Sequence, residues 1–273
     1  MLLSCTKRAR LPEIFYDGDL TPEELVEEQK QYYKARAGEY DEWFVRRAGA
    51  VFGGTEMESR EGIITRQSGA KVPTSSQATP LVTDRVMSEE RQVVLEEFAG
   101  VDLGSDVLEF AGGTGIWTEK IASRAAKVTV VEASIEMVAL NLAKLGEASS
   151  KVEFKVRDIF EWEPDHLFDS VVFCFWISHV PESMIRIFAD LVCKSLKPGG
   201  KVFFVDDKLP SDQMQSPSSE VVLRRVSSGQ KFRIVKKFWD SDRLTEIFSQ
   251  AGIEISISTT NVYFQYGVGS RIG

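Results

Sequence analysis

Cysteine is scarce and scattered. The 273 residues hold three, Cys5, Cys174 and Cys193, with no CxxC pair and only two histidines, His166 and His179, to join them. That set speaks against a disulfide framework and against structural zinc, so no metal is expected. Thiols this sparse fit a reducing, cytoplasmic setting. Long apolar runs are missing too. The longest central run, Val171 to Ile177, falls far short of the ~20 residues of a membrane helix. Met1-Leu2-Leu3 is too short for the core of a signal peptide, and the transit-like flavour of Lys7, Arg8 and Arg10 is diluted by Glu13, Asp17 and Asp19. No membrane partner is expected. Positive charge is in deficit, with 33 Lys+Arg against 41 Asp+Glu and a net charge of -8. Phosphate backbones need concentrated positive charge, so nucleic acid is not the expected partner.

What is present is an ordinary soluble composition, 43% hydrophobic and 27% charged. The length suits one large domain with an N-terminal extension. Residues 1–20 have no period and read as an arm. Thr21-Pro22-Glu23-Glu24 reads as a helix start, with Thr21 as cap, Pro22 at the first helical position and Glu24 closing a capping box. Tyr33, Arg36, Tyr40 and Phe44 share one face of this helix, and Gly38 is a candidate interruption. Residues 48–80 read as a long polar loop, and a helical period returns from Asp84 to Phe98.

From there short apolar runs alternate with helical stretches. Strands are predicted at Asp106–Phe110, Lys127–Glu132, Val152–Val156, Asp169–Phe175 and Lys201–Asp206, with helices near 116–125, 135–146 and 182–196. Pro198-Gly199-Gly200 reads as the turn into the fifth strand. Ser227-Ser228-Gly229-Gln230 joins two strand-like runs into a hairpin at about 221–238. A helix stopped by Gly252 and two antiparallel strands, Glu254–Ser258 and Val262–Tyr266, close the chain. The βαβ alternation predicts an α/β fold. It has a Rossmann-like, seven-stranded, mostly parallel sheet with an antiparallel last strand and helices on both faces. An N-terminal helical lid and an inserted β-hairpin cap complete it. Residues 1–83 are the arm, lid and loop, and 84–273 the main domain.

Ligands of such sheets bind at the carboxyl ends of the strands, near the switch in strand order. The first strand runs into Ala111-Gly112-Gly113-Thr114-Gly115, whose small residues let a ligand approach the backbone. A bare strand-to-helix turn would look similar. The dinucleotide fingerprint GxGxxG is not met, because Ile116, Trp117 and Thr118 follow Gly115. Glu109 beside this turn would repel a pyrophosphate and welcome an ammonium group. Glu132, ending the second strand, is placed to accept from two ribose hydroxyls. Asp158 after the third strand is placed to accept from an adenine amine, with Ile159 against the base. These complements point to an amino-acid-bearing nucleoside.

The segments VLEFAGGTG, VTVVEAS, VRDIF and LKPGGKVFFVDD resemble the successive motifs of class I S-adenosylmethionine-dependent methyltransferases over roughly residues 84–267. YYKARAGEYDEWF, Tyr32 to Phe44, and FWISHVP, Phe175 to Pro181, resemble a bacterial-type branch acting on small molecules. Ala111 departs from the family's usual glycine. The resemblance implies S-adenosyl-L-methionine as cofactor and a small-molecule acceptor at O, N, S or C. It implies Ala111, Gly113 and Gly115 along the methionine part, Glu109 at its amino group, Glu132 at the ribose, and Asp158 with Ile159 at adenine. Phe175 would touch the cofactor, and Tyr33 and Arg36 would close over it, Arg36 toward the carboxylate.

In methyl transfer the cofactor supplies the hard chemistry and the protein aligns the acceptor. His179 is the candidate catalytic base, or else a histidine that orients the turn before Pro181. Asp206 and Asp207 would serve the acceptor or be solvated. Trp176 would wall the pocket or belong to the core. The hairpin cations Arg224, Arg225, Lys231, Arg233, Lys236 and Lys237 would attract an acidic acceptor or form a solvated face. No Asn-Pro-Pro-Tyr follows the fourth strand, which argues against nucleobase and protein-amide acceptors. Two other functions fit the pattern: a catalytically silent relative acting as a partner subunit, and an NAD-type oxidoreductase, which Glu109 and the missing glycine oppose.

Overall fold

The computed structural model describes residues 20–46, 79–208 and 220–273, with backbone alone for 39–46 and 79–84. The predicted arm and nearly all of the 48–80 loop lie outside the described residues, as do the side chains of Tyr40 and Phe44. In chain order the elements open with helix α1 (Pro22–Arg46) and helix α2 (Thr79–Gly100). There follow strand β1 (Asp106–Phe110), α3 (Ile116–Ala122), β2 (Lys127–Glu132), α4 (Ile135–Leu145), β3 (Val152–Val156) and β4 (Phe168–Cys174). Then come α5 (Ile185–Ser195), β5 (Leu196–Asp207), the hairpin β6 (Val221–Arg225) and β7 (Lys231–Val235), α6 (Ser241–Gln250), β8 (Ile253–Thr259) and β9 (Phe264–Arg271).

Seven strands form one sheet in the order β3-β2-β1-β4-β5-β9-β8, and β6-β7 pair separately. Only β9 runs against its neighbours. The chain builds outward from β1 through β2 to β3, then returns to the other side of β1 with β4. The crevice at that reversal is where such a sheet takes a ligand. Successive side chains of β1 go to opposite faces, as a period of two requires. Leu108 and Phe110 join the core under α5 and α6. Val107 joins the core with α2 and α3.

The capping box forms as predicted: Glu24 N donates to Thr21 Oγ1 at 3.2 Å and Thr21 N to Glu24 Oε2 at 2.7 Å. Gly38 does not interrupt α1, which runs on to Arg46. α1 buries Leu25, Val26, Gln29, Tyr32 and Ala37, so a helix of mixed polarity is held by packing against the hairpin and the sheet ends rather than by propensity.

α2 begins at Thr79, ahead of the expected Asp84, and β4 runs Phe168–Cys174, one residue earlier than expected; two other boundaries differ for reasons the packing shows. Pro198-Gly199-Gly200 is not a turn ahead of β5 but lies within it, where a register shift between Phe168 and Ser170 of β4 absorbs the irregular backbone. The last strand extends well past Tyr266, because Gly267 and Gly269 sit inside it. A Cβ at Gly267 would lie 2.2 Å from Phe204 Cε1, so this strand carries glycine to let the Phe204 ring lie against its backbone. Gly267→Ala is therefore expected to cost about 1–3 kcal/mol by overpacking, read as a lower midpoint in chemical denaturation with an unchanged slope.

Candidate active site

A cleft opens at the carboxyl ends of β1, β2, β3 and β4 and runs beneath α1. It encloses about 720 Å³ of non-atom space, the open mouth included. Its lining brings together Tyr33, Ala111, Gly113, Glu132, Asp158, Ile159 and Phe175, seven of the residues singled out in the sequence. Trp176 is half-buried and also lines it, and its indole Nε1 has no hydrogen-bond partner. Val26, Gln29, Lys30, Ser134, Met137 and Cys174 complete the wall and were not singled out. Lys30 and Gln29 were legible as a face one turn before Tyr33, had the period been read upstream. Ser134 and Met137 begin α4 and follow from the position of Glu132 alone.

Glu132 ties the floor together. Its Oε2 accepts from Gly113 N at 3.0 Å and its Oε1 from Ser134 N at 2.9 Å. Burial pushes this carboxyl above the ordinary range, and the backbone amides of Ser134 and Gly113 pull against that. The Ala133 amide hydrogen-bonds to the same carboxylate. Asp158 caps the short helical turn Ile159–Glu161 through Phe160 N, and its Oδ2 accepts from Lys30 Nζ at 3.0 Å. A lid lysine thus meets the far wall of the cleft.

Ala111 and Gly113 form the turn, with φ of 54° and 53°. The departure from glycine at Ala111 has a conformational consequence. A left-handed alanine stores about 1–2 kcal/mol of strain. Phe175 is strained in the same way, with φ 55°, and is held by its N–H donating to Val205 O at 2.7 Å. Gly115 does not reach the cleft lining. It caps α3, where a Cβ would fall 2.5 Å from Asn141 Oδ1.

Three more expected residues, Arg36, Glu109 and His179, stand outside the cleft lining. Arg36 is buried against the lid's own Tyr32, donating to its hydroxyl with the guanidinium 5.5 Å from the ring centroid, and does not line the cleft. Lys30 is the lid cation that does. Glu109 is one residue short of the strand end, so the pleat turns it beneath the turn rather than into the cleft. It is 2% exposed, and its Oε2 has no partner. Burial pushes it up to about 8, against a hydrogen bond from Thr118 and with the charge of Glu132 adding to the effect.

His179 lies in the turn Ile177–His179, with its ring edge-on to Tyr33 at 5.6 Å. Its Nδ1 is 2.7 Å from Val235 O. A carbonyl only accepts, so Nδ1 carries the proton and Nε2 keeps a lone pair. Burial and then Lys236 push its pKa down to about 3. Asp206 and Asp207 are not solvated. Asp206 is fully buried and accepts from Ser178 N, and Lys236 bridges Asp207 at 2.7 Å and Ser178 Oγ at 2.9 Å. Among the hairpin cations, Arg233 pairs with Glu28 of the lid and Lys237 with Glu182. Among the described residues no group of His, Cys, Asp and Glu is arranged for a metal, and no helix is long and apolar enough to cross a membrane.

Residues 107–200 match the family model described as Methyltransferase domain. The ubiquinone biosynthesis O-methyltransferase of Escherichia coli O7:K1 (strain IAI39 / ExPEC) is 34% identical over 152 residues, covering 53% of this chain. The chain spans 60% of the length of that relative. Among solved structures, a DhpI–SAH complex is 30% identical with a TM-score of 0.69, covering 92% of this chain and 99% of that one. A DhpI–SAM–HEP complex is 31% identical, with a TM-score of 0.68 over 90% and 97%.

Two outcomes follow from this geometry. Ala111→Gly removes the left-handed strain and incurs the smaller entropic cost of glycine, for a net gain of about 0.5–1 kcal/mol in equilibrium unfolding. Glu109→Gln acts through pH. A carboxyl raised from its unfolded value holds its proton in the native state up to about pH 8. Its contribution to stability is full below the unfolded pKa and is lost as pH rises through the folded one. The variant's melting temperature should match the wild type near pH 4 and exceed it increasingly from pH 5 to pH 8.

Proposed function

Because the chain belongs to the S-adenosylmethionine-dependent methyltransferases, we propose that it transfers a methyl group from S-adenosylmethionine to a small-molecule acceptor held between the strand ends and the lid. The observation that carries this reading is the meeting in one cleft of the Ala111–Gly113 turn, Glu132, Asp158 with Ile159, Phe175 and Tyr33. The residues fit the cofactor. Gly113 presents bare backbone, with nothing nearer than 3.9 Å to where a Cβ would stand. Glu132 sets its carboxylate in the cleft lining for the ribose hydroxyls. Ile159 and Met137 offer apolar surface for the base, beside the acceptor oxygens of Asp158. Lys30 of the lid lines the same wall, paired with Glu27 and Asp158.

When bound, the sulfonium supplies an electrophilic methyl group. The protein's own part is to orient and to exclude water. Phe175 and Trp176 give the cleft an apolar wall at the end of β4. α1 covers it through Lys30–Asp158 and through Gln29, which donates to His179 O and accepts from Val235 N. His179 stays neutral at physiological pH and offers Nε2 as a hydrogen-bond acceptor. With a conjugate acid near 3, it suits directing the lone pair of an acceptor hydroxyl better than removing its proton. The O-methyltransferase name of the bacterial relative and the DhpI–SAM–HEP complex support an acceptor of this kind.

Calorimetric titration of the protein with S-adenosylmethionine should show one site. Glu132→Ala should weaken it by at least about tenfold, since two backbone amides then lose their acceptor as well. Absence of binding by well-folded protein would end the proposal. Incubation with methyl-labelled cofactor and small-molecule extract should then transfer label; a catalytically silent relative binds and transfers none.

A further inference from the structure

Glu109 is a buried acid with no counter-cation. It forms no ion pair among the described residues, and its Oε2 faces the Gly112 turn with no donor. The groups around it come from four elements. α3 gives the Thr118 hydroxyl, which hydrogen-bonds to it. α4 gives Asn141, whose Nδ2 is taken by Thr118 Oγ1 at 2.8 Å and whose Oδ1 is itself unpartnered. β2 gives the like charge of Glu132, and β4 gives the Cys174 thiol, which burial and then the Glu109 charge push well up. An ionised Glu109 leaves its Oε2 a buried acceptor without a donor, beside a second carboxylate. A proton on Glu109 removes that charge.

Gly113 and Cys174 line the cleft, and Glu109 lies buried beside Gly112, near enough to Cys174 for its charge to act on the thiol. Low dielectric there makes a charge in the cleft felt at Glu109. We infer that Glu109 is protonated in the empty protein and gives that proton to solvent when the cofactor binds, so that the buried carboxylate answers the cofactor's positive charge. This rests on the cofactor assignment above and deepens it. The sulfonium cofactor carries a net charge of +1 (sulfonium and ammonium against one carboxylate), whereas its demethylated product is neutral overall. Glu109 therefore becomes a specificity-determining residue. As a carboxylate it favours the charged donor, and once the methyl has left, the same site favours taking back its proton and releasing the product. The exchange balances, with one proton to the buffer on donor binding and one returned on product release.

The test is calorimetric titration of the full chain with S-adenosylmethionine and with S-adenosylhomocysteine at pH 7, in phosphate and in Tris. The expected result is a binding enthalpy that differs between the buffers in the sense of proton release, more for the donor than for the product. Affinity for the donor should tighten about tenfold from pH 6 to pH 7, and Glu109→Gln should abolish both effects. Infrared difference spectra of the wild type should show a protonated carboxyl band that vanishes on adding the donor, a readout that does not depend on the variant folding. Binding with a buffer-independent enthalpy, or proton release undiminished in Glu109→Gln, overturns the inference while leaving the cofactor assignment intact. Failure to bind either ligand overturns both.

Discussion

The carboxylate of Glu132 is the joint on which the cleft depends. It ends β2, yet it holds the backbone of the turn that follows β1 and the first residues before α4. One side chain thereby fixes the spacing of two neighbouring strand ends, and the strained Ala111 has somewhere to be strained against. Without that grip the Ala111–Gly113 turn keeps Ala111 N to Val131 O, Gly115 N to Gly112 O and the Asn141 amide to hold its shape. The same side chain lines the cleft, so the group that builds this wall also meets whatever enters it.

Much of this was legible in the sequence because it rests on local periodicity. The alternation of β1 through β5 with α3, α4 and α5 follows from apolar runs and punctuating residues, and the capping box of α1 from four consecutive residues. Glu132, Asp158 and Ile159 were placed by the rule that strand ends converge, and Phe175 by the resemblance to the family. Where reading failed, the missing quantity was a phase or a long-range partner. A one-residue offset along β1 decides whether Glu109 faces the cleft or lies under it. The guanidinium of Arg36 was assigned to a ligand because nothing in the helix period shows that Tyr32 takes it. Gly267 and Gly269 weaken strand propensity, and only neighbours across the ladder explain them: the Phe204 ring at Gly267, and Glu254 with Ile255 at Gly269.

The hairpin cations show the same limit. Counted along the chain they form a basic patch. Folded, Lys236 sits between Asp207 and Ser178, Arg233 on Glu28 and Lys237 on Glu182. The buried network around Asp206 secures the turn carrying His179 and leaves its imidazole neutral. Charge counts describe a segment's supply of ions; only tertiary neighbours determine how much of that charge remains available to a ligand.

α1 is fastened at three places by ion pairs: Lys30 to Asp158 on the cleft wall, Lys34 to Glu136 at the start of α4, and Glu28 to Arg233 on the hairpin. All three are partly exposed, and the last joins the lid to β7, which in turn is tied to the His179 turn. Lid and hairpin thus form one roof, latched at its rim by pairs that mobile salt weakens. Ionic strength becomes a lever on how firmly that roof is held: a more saline medium leaves more of the load to the Gln29 bonds and to Tyr32 against Phe232.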